Sequence, residues 1–418
     1  MATTEADQVD IDIGNDQPNN QGLSQVMPSG SVKLGQAEEH RDIEPLITVD
    51  ETMNNLDACG DAMPSKRPRR LKSVLDYNFV EDTFWHGNKK VDTSGLVEYI
   101  HLFLSWYRNL PDNLLCEIRE SKIFEEFQNK FVHKMCTEEG EGEQSRRKAE
   151  AIRNRDPAAM KDPKERITFN IYRALEASKT ATNDEHPDRF RVKVELLDEW
   201  HRILLEDVPA AHPGIRRSSK SETAAALGHY YPSGEGLSAA VNFFIEKFCE
   251  MIPDASKSAA NGSDISTAEI VEVVKWASWA LVTLLALHPY FDGNGRLCRL
   301  LCNYALSSIF PFDIPIYNVY NEFTSRTDYV MALVLCQDCR CNQGSEQCLE
   351  AFEAFDQTKP GLIATMVLEA CAVACRQFYK DVKKHFSIEV PNFAATFPGS
   401  EKLIESVLDI AAGDGEEE

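Results

Sequence analysis

From Tyr77 to Phe386 apolar and polar residues alternate with a spacing of three to four positions, interrupted by Pro, Gly and Asn. An apolar stripe at that spacing is what a helix needs in order to bury one face, so each stretch predicts an amphipathic helix. Stripes run through residues 96–107 and then through Leu114, Leu115, Ile118, Phe124, Phe127 and Phe131. They continue in 164–177, 192–205, 237–251, 267–287, 297–309, 328–335 and 362–386. Asn109-Leu110-Pro111-Asp112 stops the first of them, because proline lacks the amide a helix interior needs. One stretch departs from the pattern: between Pro213-Gly214 and Tyr231-Pro232 small and polar residues precede Gly228-His229-Tyr230-Tyr231. That composition predicts a loop or short hairpin. The expected fold class is all-α, a helical bundle with a small β-hairpin flap, and no repeat at the 34-residue helix-pair period is found.

The ends read differently. Residues 1–63 hold no aromatic side chain, and Lys33 and Arg41 are their only cations among many acidic and amide residues. Such a segment buries too little apolar surface to offset the entropy of ordering it, so a disordered acidic arm is expected. It is followed by the basic cluster Lys66-Arg67-Pro68-Arg69-Arg70, which fits a nuclear-import signal, a solvated linker or a partner for the acidic arm. The expected division is 1–73 arm and cluster, 74–160 upstream helical region, 161–390 main helical domain, and 391–418 a segment ending in an acidic tail.

With a formal charge of −23, the chain as a whole is not expected to bind a nucleic-acid backbone. Residues 1–7 lack the basic and apolar regions of a secretory leader, and Ala2 stands where myristoylation needs glycine. The longest apolar run, 276–287, falls short of the roughly 20 residues a membrane span takes. The 12 cysteines are scattered, mostly in apolar helical stretches, as reduced thiols would be. A cytoplasmic or nuclear protein, without membrane attachment, is the expectation. Cys336-x-x-Cys339-x-Cys341-x6-Cys348 has one zinc-like pair, but Cys336 belongs to an apolar helical run, which favours core or loop thiols. Cys371 and Cys375, four apart on an apolar face, read as core.

Candidate chemistry is concentrated in His288-Pro289-Tyr290-Phe291-Asp292-Gly293-Asn294-Gly295-Arg296-Leu297-Cys298-Arg299, between two apolar helices. Gly293-Asn294-Gly295 frees the backbone to turn and bring amides to a helix start, where they and the helix dipole attract an anion. Arg296 and Arg299, three apart, face the same anion. Asp292 offers a hard oxygen for Mg²⁺, and His288 a neutral base near pH 7. Taken singly these are a turn, a helix-end histidine and surface arginines; the ordered string describes a site for transferring part of a nucleotide.

The string resembles the signature of the Fic family of protein AMP-transferases, His-Pro-Phe-x-(Asp/Glu)-Gly-Asn-Gly-Arg-x-x-Arg, with Tyr290 in place of the Phe. The resemblance covers roughly residues 131–379. It implies ATP as the nucleotide and Mg²⁺ held by Asp292 between the α- and β-phosphates. His288 would take the proton of a Ser, Thr or Tyr hydroxyl on a target protein, which attacks the α-phosphate. Backbone groups at Gly293, Asn294 and Gly295 would cradle phosphate, with Arg296 and Arg299 at the β/γ end. It further implies that the loop ending His229-Tyr230-Tyr231 docks the target, that Tyr329 lies near the base, and that Cys336 stands where an Asn often contacts adenine. Thr137-Glu138-Glu139-Gly140-Glu141-Gly142 fits the family's inhibitory pattern, (Ser/Thr)-x-x-x-Glu-(Gly/Asn), in which Glu141 would pair with Arg299. A homodimer is compatible with the resemblance. The activity so implied is AMPylation, autoinhibited by Glu141; removal of AMP by the same site and a noncatalytic nucleotide-sensing role are the alternatives.

Overall fold

The computed structural model describes residues 74–87, 89–180, 190–208, 212–222, 224–226, 229–254, 264–337, 351–352, 355 and 358–386, all within one unit. The acidic arm, the basic cluster, Cys339, Cys341, Cys348 and the acidic tail lie outside the described residues.

Eleven helices form among the described residues; ten fall on the apolar stripes, and the short one at Arg146–Ile152 falls on none of them. They are α1 (Thr93–Arg108), α2 (Asp112–Glu120), α3 (Ile123–Glu139), α4 (Arg146–Ile152), α5 (Pro163–Thr180), α6 (Val194–Leu204), α7 (Leu237–Glu250), α8 (Thr267–Leu287), α9 (Asn294–Leu306), α10 (Ser325–Cys336) and α11 (Gly361–His385). Their ends follow local chemistry. Asp92 caps α1 by accepting from the Gly95 amide at 2.9 Å, and Ser266 with Glu269 forms a reciprocal capping box at the start of α8. Gly140, with φ 73°, ends α3 in the left-handed region. Between α6 and α7, Ala225–Ala226 (β1) and His229–Tyr230 (β2) pair antiparallel, Ala225 opposite Tyr230.

Helix α8 is the axis of the fold. From Trp276 to Leu287 every residue is buried, which is why its sequence is apolar all round rather than striped. It packs against α9, α11, α7 and α1, and α9 packs in turn against α3, α5 and α6. Helices α8 and α11 are long and apolar enough to cross a bilayer by length and composition, and α8 is longer than the 276–287 run. Their most apolar windows are 83% and 78% buried inside the protein, as core helices are.

Rings fill the space between helices. Phe103 of α1, Phe127 of α3, Phe312 and Phe378 of α11 converge, with Phe312 and Phe378 stacked at 4.8 Å. The segment before α1 is fastened by a buried carboxylate: Glu369 of α11 accepts from Trp85 Nε1 at 3.1 Å and meets His86 Nε2 at 2.7 Å. Burial raises the Glu369 carboxyl above its ordinary range, with His86 and Trp85 opposing.

Candidate active site

The turn from α8 to α9 is built by three residues. His288 follows the last residue of α8 with its amide bonded to the Leu284 carbonyl at 3.1 Å and its backbone left-handed, φ 48° and ψ 58°. Asn294 then closes the turn, its Oδ1 accepting from the Tyr290 amide at 3.0 Å while its Nδ2 donates to the Tyr290 carbonyl at 2.9 Å. Gly293 has φ 72°, a conformation that favours glycine, and a Cβ there would lie tightly, 3.1 Å from Leu205 Cδ1 and 3.3 Å from His201 Nε2. Helix α9 therefore starts at Asn294, three residues before the stripe predicts, and Gly295 lies in its first turn.

Helix α6 braces this turn from below. The Gly214 amide donates to His201 Nδ1 at 2.9 Å, so Nε2 carries the hydrogen and donates to the Asp292 carbonyl at 2.8 Å. Burial pulls the His201 pKa down to about 4, which keeps that ring neutral. The Tyr290 ring stacks on His201 at 3.7 Å, and its hydroxyl donates to Asp198 Oδ1 at 2.6 Å, where Arg216 Nε also arrives at 3.1 Å. The Tyr290 hydroxyl, absent from a Phe, thus has a carboxylate waiting for it.

Arg296 and Arg299 are each about 2% exposed and meet the end of α3 and the loop after it. Arg299 Nε donates to Glu139 Oε1 at 2.8 Å, its Nη2 is 3.9 Å from Glu138 Oε2, and its Cζ stands 3.6 Å over the Tyr329 ring. Arg296 Nη2 is 2.9 Å from Glu141 Oε2 and 3.6 Å from Asp292 Oδ1. The expected Glu141–Arg299 pair is therefore not what forms. Helix α3 runs on to Glu139, which meets Arg299, and the reversal at Gly140 sends Glu141 to Arg296 instead. The Glu139 carboxylate also stands against Gly295, where any Cβ would run into it. Burial raises the Glu141 and Glu138 carboxyls, each opposed by its arginine.

One cavity of about 340 Å³ is lined by Glu139, Glu141, Tyr231, His288, Asp292, Arg296, by Tyr329, Val330, Leu333 and Val334 of α10, and by Gln337 just after it. A larger groove of about 1000 Å³, between the α1 and α8 N-termini, contains none of this chemistry.

Residues 191–306 match the family model of the Fic/DOC family. The match supports a Fic/Fido domain. A Fido domain-containing protein of Dictyostelium discoideum is 49% identical over 48 residues, 11% of this chain and 34% of that protein, so the chain matches about a third of this curated relative. A Fic domain-containing signalling protein from Bacteroides thetaiotaomicron superposes with a TM-score of 0.50 and 16% identity, over 70% of this chain and 99% of the other. Fic-1 from C. elegans superposes with a TM-score of 0.47 and 14% identity, over 70% and 74%. At 16% identity the first of these superpositions speaks for the fold alone.

His288, Asp292, Gly293, Asn294, Gly295, Arg296 and Tyr329 all line the cavity, and Arg299 is reached through Glu139 and Tyr329. Cys336 does not line it: it is buried in the core, and the next residue, Gln337, faces the cavity instead. Tyr329 is as much a bed for Arg299 as a wall for a base. The donor set fits a nucleotide's phosphates, since Arg296 Nη1 and Arg299 Nη2 are buried without a hydrogen-bond partner among the described residues. No group of three or more His, Cys, Asp or Glu placed to hold a metal occurs among the described residues. Mg²⁺ asks for less, one or two carboxylates completed by waters and phosphate oxygens, and the half-exposed Asp292 carboxylate, oriented by the Gly293 amide at 2.6 Å, meets that need. Linear spacing carried no signal for Asp198, His201 or Arg217. Glu139 lay inside the quoted motif, one carboxylate among three.

Proposed function

We propose that this protein transfers AMP from ATP to a Ser, Thr or Tyr hydroxyl of a target protein, and that Glu139 and Glu141 together hold the site in check. The observation that carries the reading is the convergence of His288, the first turn of α9 and Arg296 on one cavity, with Arg299 buried behind its walls Glu139 and Tyr329, each arginine keeping a buried nitrogen without a hydrogen-bond partner among the described residues. In this reading the triphosphate lies along the start of α9, where amides and the helix dipole favour anions, and Arg296 and Arg299 neutralise its β/γ end. His288 accepts the proton of the target hydroxyl as its oxygen forms a bond to the α-phosphorus. The bond from that phosphorus to the bridging oxygen breaks, and pyrophosphate leaves. Mg²⁺, when bound at Asp292, would supply charge neutralisation on the phosphate oxygens. The 222–232 segment, which carries β1 and β2, would act as the flap that aligns the target by main-chain pairing.

Inhibition follows from charge. Glu139 occupies the Arg299 guanidinium and places an anion against Gly295, where a phosphate would lie, and Glu141 does the same to Arg296. A second reading, removal of AMP from a modified target, draws on Glu141: its half-exposed carboxylate faces the same cavity and can orient a water. Incubation with ATP labelled at the α- or the γ-phosphate tests both. Transfer of α-label alone, lost in His288→Ala, is expected; transfer of γ-label, or α-label transfer unchanged in that variant, refutes the assignment.

A further inference from the structure

Arg217 is completely buried, and an arginine leaves water only where its five donors are matched. Here the matches are main-chain carbonyls. Nε and Nη2 both donate to the His288 carbonyl, at 3.0 and 2.5 Å, and Nη2 also reaches the Leu287 carbonyl at 3.3 Å. From the other side of the fork, Nη1 donates to the Glu222 carbonyl at 2.9 Å and the Pro232 carbonyl at 2.7 Å. The Arg217 amide adds a bond to the Pro289 carbonyl at 2.9 Å. One side chain thus spans the C-terminal end of α8, whose last carbonyls lack helical partners and carry the negative end of the dipole, and both ends of the 222–232 segment.

His288 needs such support. Its left-handed backbone persists in a non-glycine residue only where the surroundings over-determine it. Its ring is held from the same side, stacked on Tyr231 at 3.8 Å and 17°. We infer that Arg217 is a positioning residue that couples the 222–232 segment to His288, so that settling a target against that segment and setting the base in line become one event. The inference rests on the AMP-transfer reading for what His288 does. The coupling itself rests on the bonds. Lysine cannot replace the fork, because a single ammonium group cannot reach carbonyls on both sides.

The test compares wild type with Arg217→Lys and Arg217→Gln. Self-labelling from α-labelled ATP should show kcat lowered about a hundredfold, the scale of a misplacement near 1 Å, with KM for ATP and equilibrium binding of a fluorescent ATP analogue unchanged. Arg217→Lys should recover only part of the loss. Hydrogen exchange read by mass spectrometry should show peptides covering 222–232 and 287–291 losing protection together in both variants, with α5 and α11 unaffected. A purely structural role would lower binding and labelling in proportion, and that result overturns the inference, as does loss of protection in one segment alone or throughout the chain. Should neither wild type nor Glu139→Ala transfer α-label, the AMP-transfer reading falls, and the exchange pattern decides the coupling by itself.

Discussion

Glu139 Oε1 accepts from Arg299 Nε at 2.8 Å, and the same carboxylate fills the space beside Gly295 in the first turn of α9. The residue that answers the second arginine of the signature is thus two positions before the Glu that the motif points to. Both partners of this pair are more enclosed than Glu141, whose side chain is 45% exposed and more screened by solvent.

Glu139→Ala should therefore raise label transfer from ATP more than Glu141→Gly does. Arg299→Ala in the Glu139→Ala background should cancel the gain, because both changes act on one contact and cannot add. Self-labelling rates of the four proteins check this. Activation by Glu141→Gly with none from Glu139→Ala would return the lock to Glu141.

His288→Ala should lower label transfer by about 10²–10⁴-fold, the usual worth of a positioned base. The cradle at Gly293, Asn294 and Gly295 does not depend on the imidazole, so binding of Mg-ATP, followed by calorimetry, should persist. Loss of both together would make His288 a structural residue of the turn.

Tyr290→Phe removes the hydroxyl that donates to Asp198 at 2.6 Å and leaves that carboxylate to Arg216. A hydrogen bond to a charged group is worth about 1.5–3 kcal/mol, and urea unfolding should show a loss toward the lower end because Asp198 is only partly buried. Label transfer should change little, since Asn294 holds the backbone of the turn by itself.

Stability should respond to pH through Glu369. Burial raises its carboxyl, so the folded protein binds that proton more tightly than the unfolded chain does. This contribution to stability is gained as pH falls through the raised folded value towards the ordinary 4.5 and lost as pH rises, at about 1.4 kcal/mol per pH unit between the two. The groups facing it are His86 and Tyr320, whose rings lie 4.2 Å apart, together with Trp85. Measured against Glu369→Gln, the wild-type Tm should climb as pH falls towards 4.5; a constant difference would place the relevant titration elsewhere.

Most of the helices were legible because they bury one face; α8, buried all round from Trp276 to Leu287, was legible from its apolar run, and its limits can be read directly from the sequence. The start of α9 was not legible: glycine normally weakens a helix, and what admits Gly295 is the carboxylate of Glu139, more than 150 positions away. The site read well where it was contiguous, from His288 to Arg299, since one turn and one helix face fix those groups relative to each other. It read poorly where two segments must meet. Three carboxylates at 138, 139 and 141 are equivalent as spacing, and only the length of α3 and the reversal at Gly140 assign each an arginine. Arg217 looked like one cation in a polar loop, because carbonyl acceptors have no letter in the sequence.

Residues 191–306, which carry the family match, begin after α5 and end with α9. The central helix α8 is inside that stretch, yet α1 and α11, which cover it, are outside, and so is α3, whose end supplies Glu139 and Glu138. The stretch that carries the family match is thus smaller than the unit that can keep its interior dry. Cut out at those boundaries, the stretch would turn α8 from an axis into an exposed apolar surface, and would part Arg299 from Glu139 and Arg296 from Glu141, leaving Asp292 as the one carboxylate still beside them among the described residues.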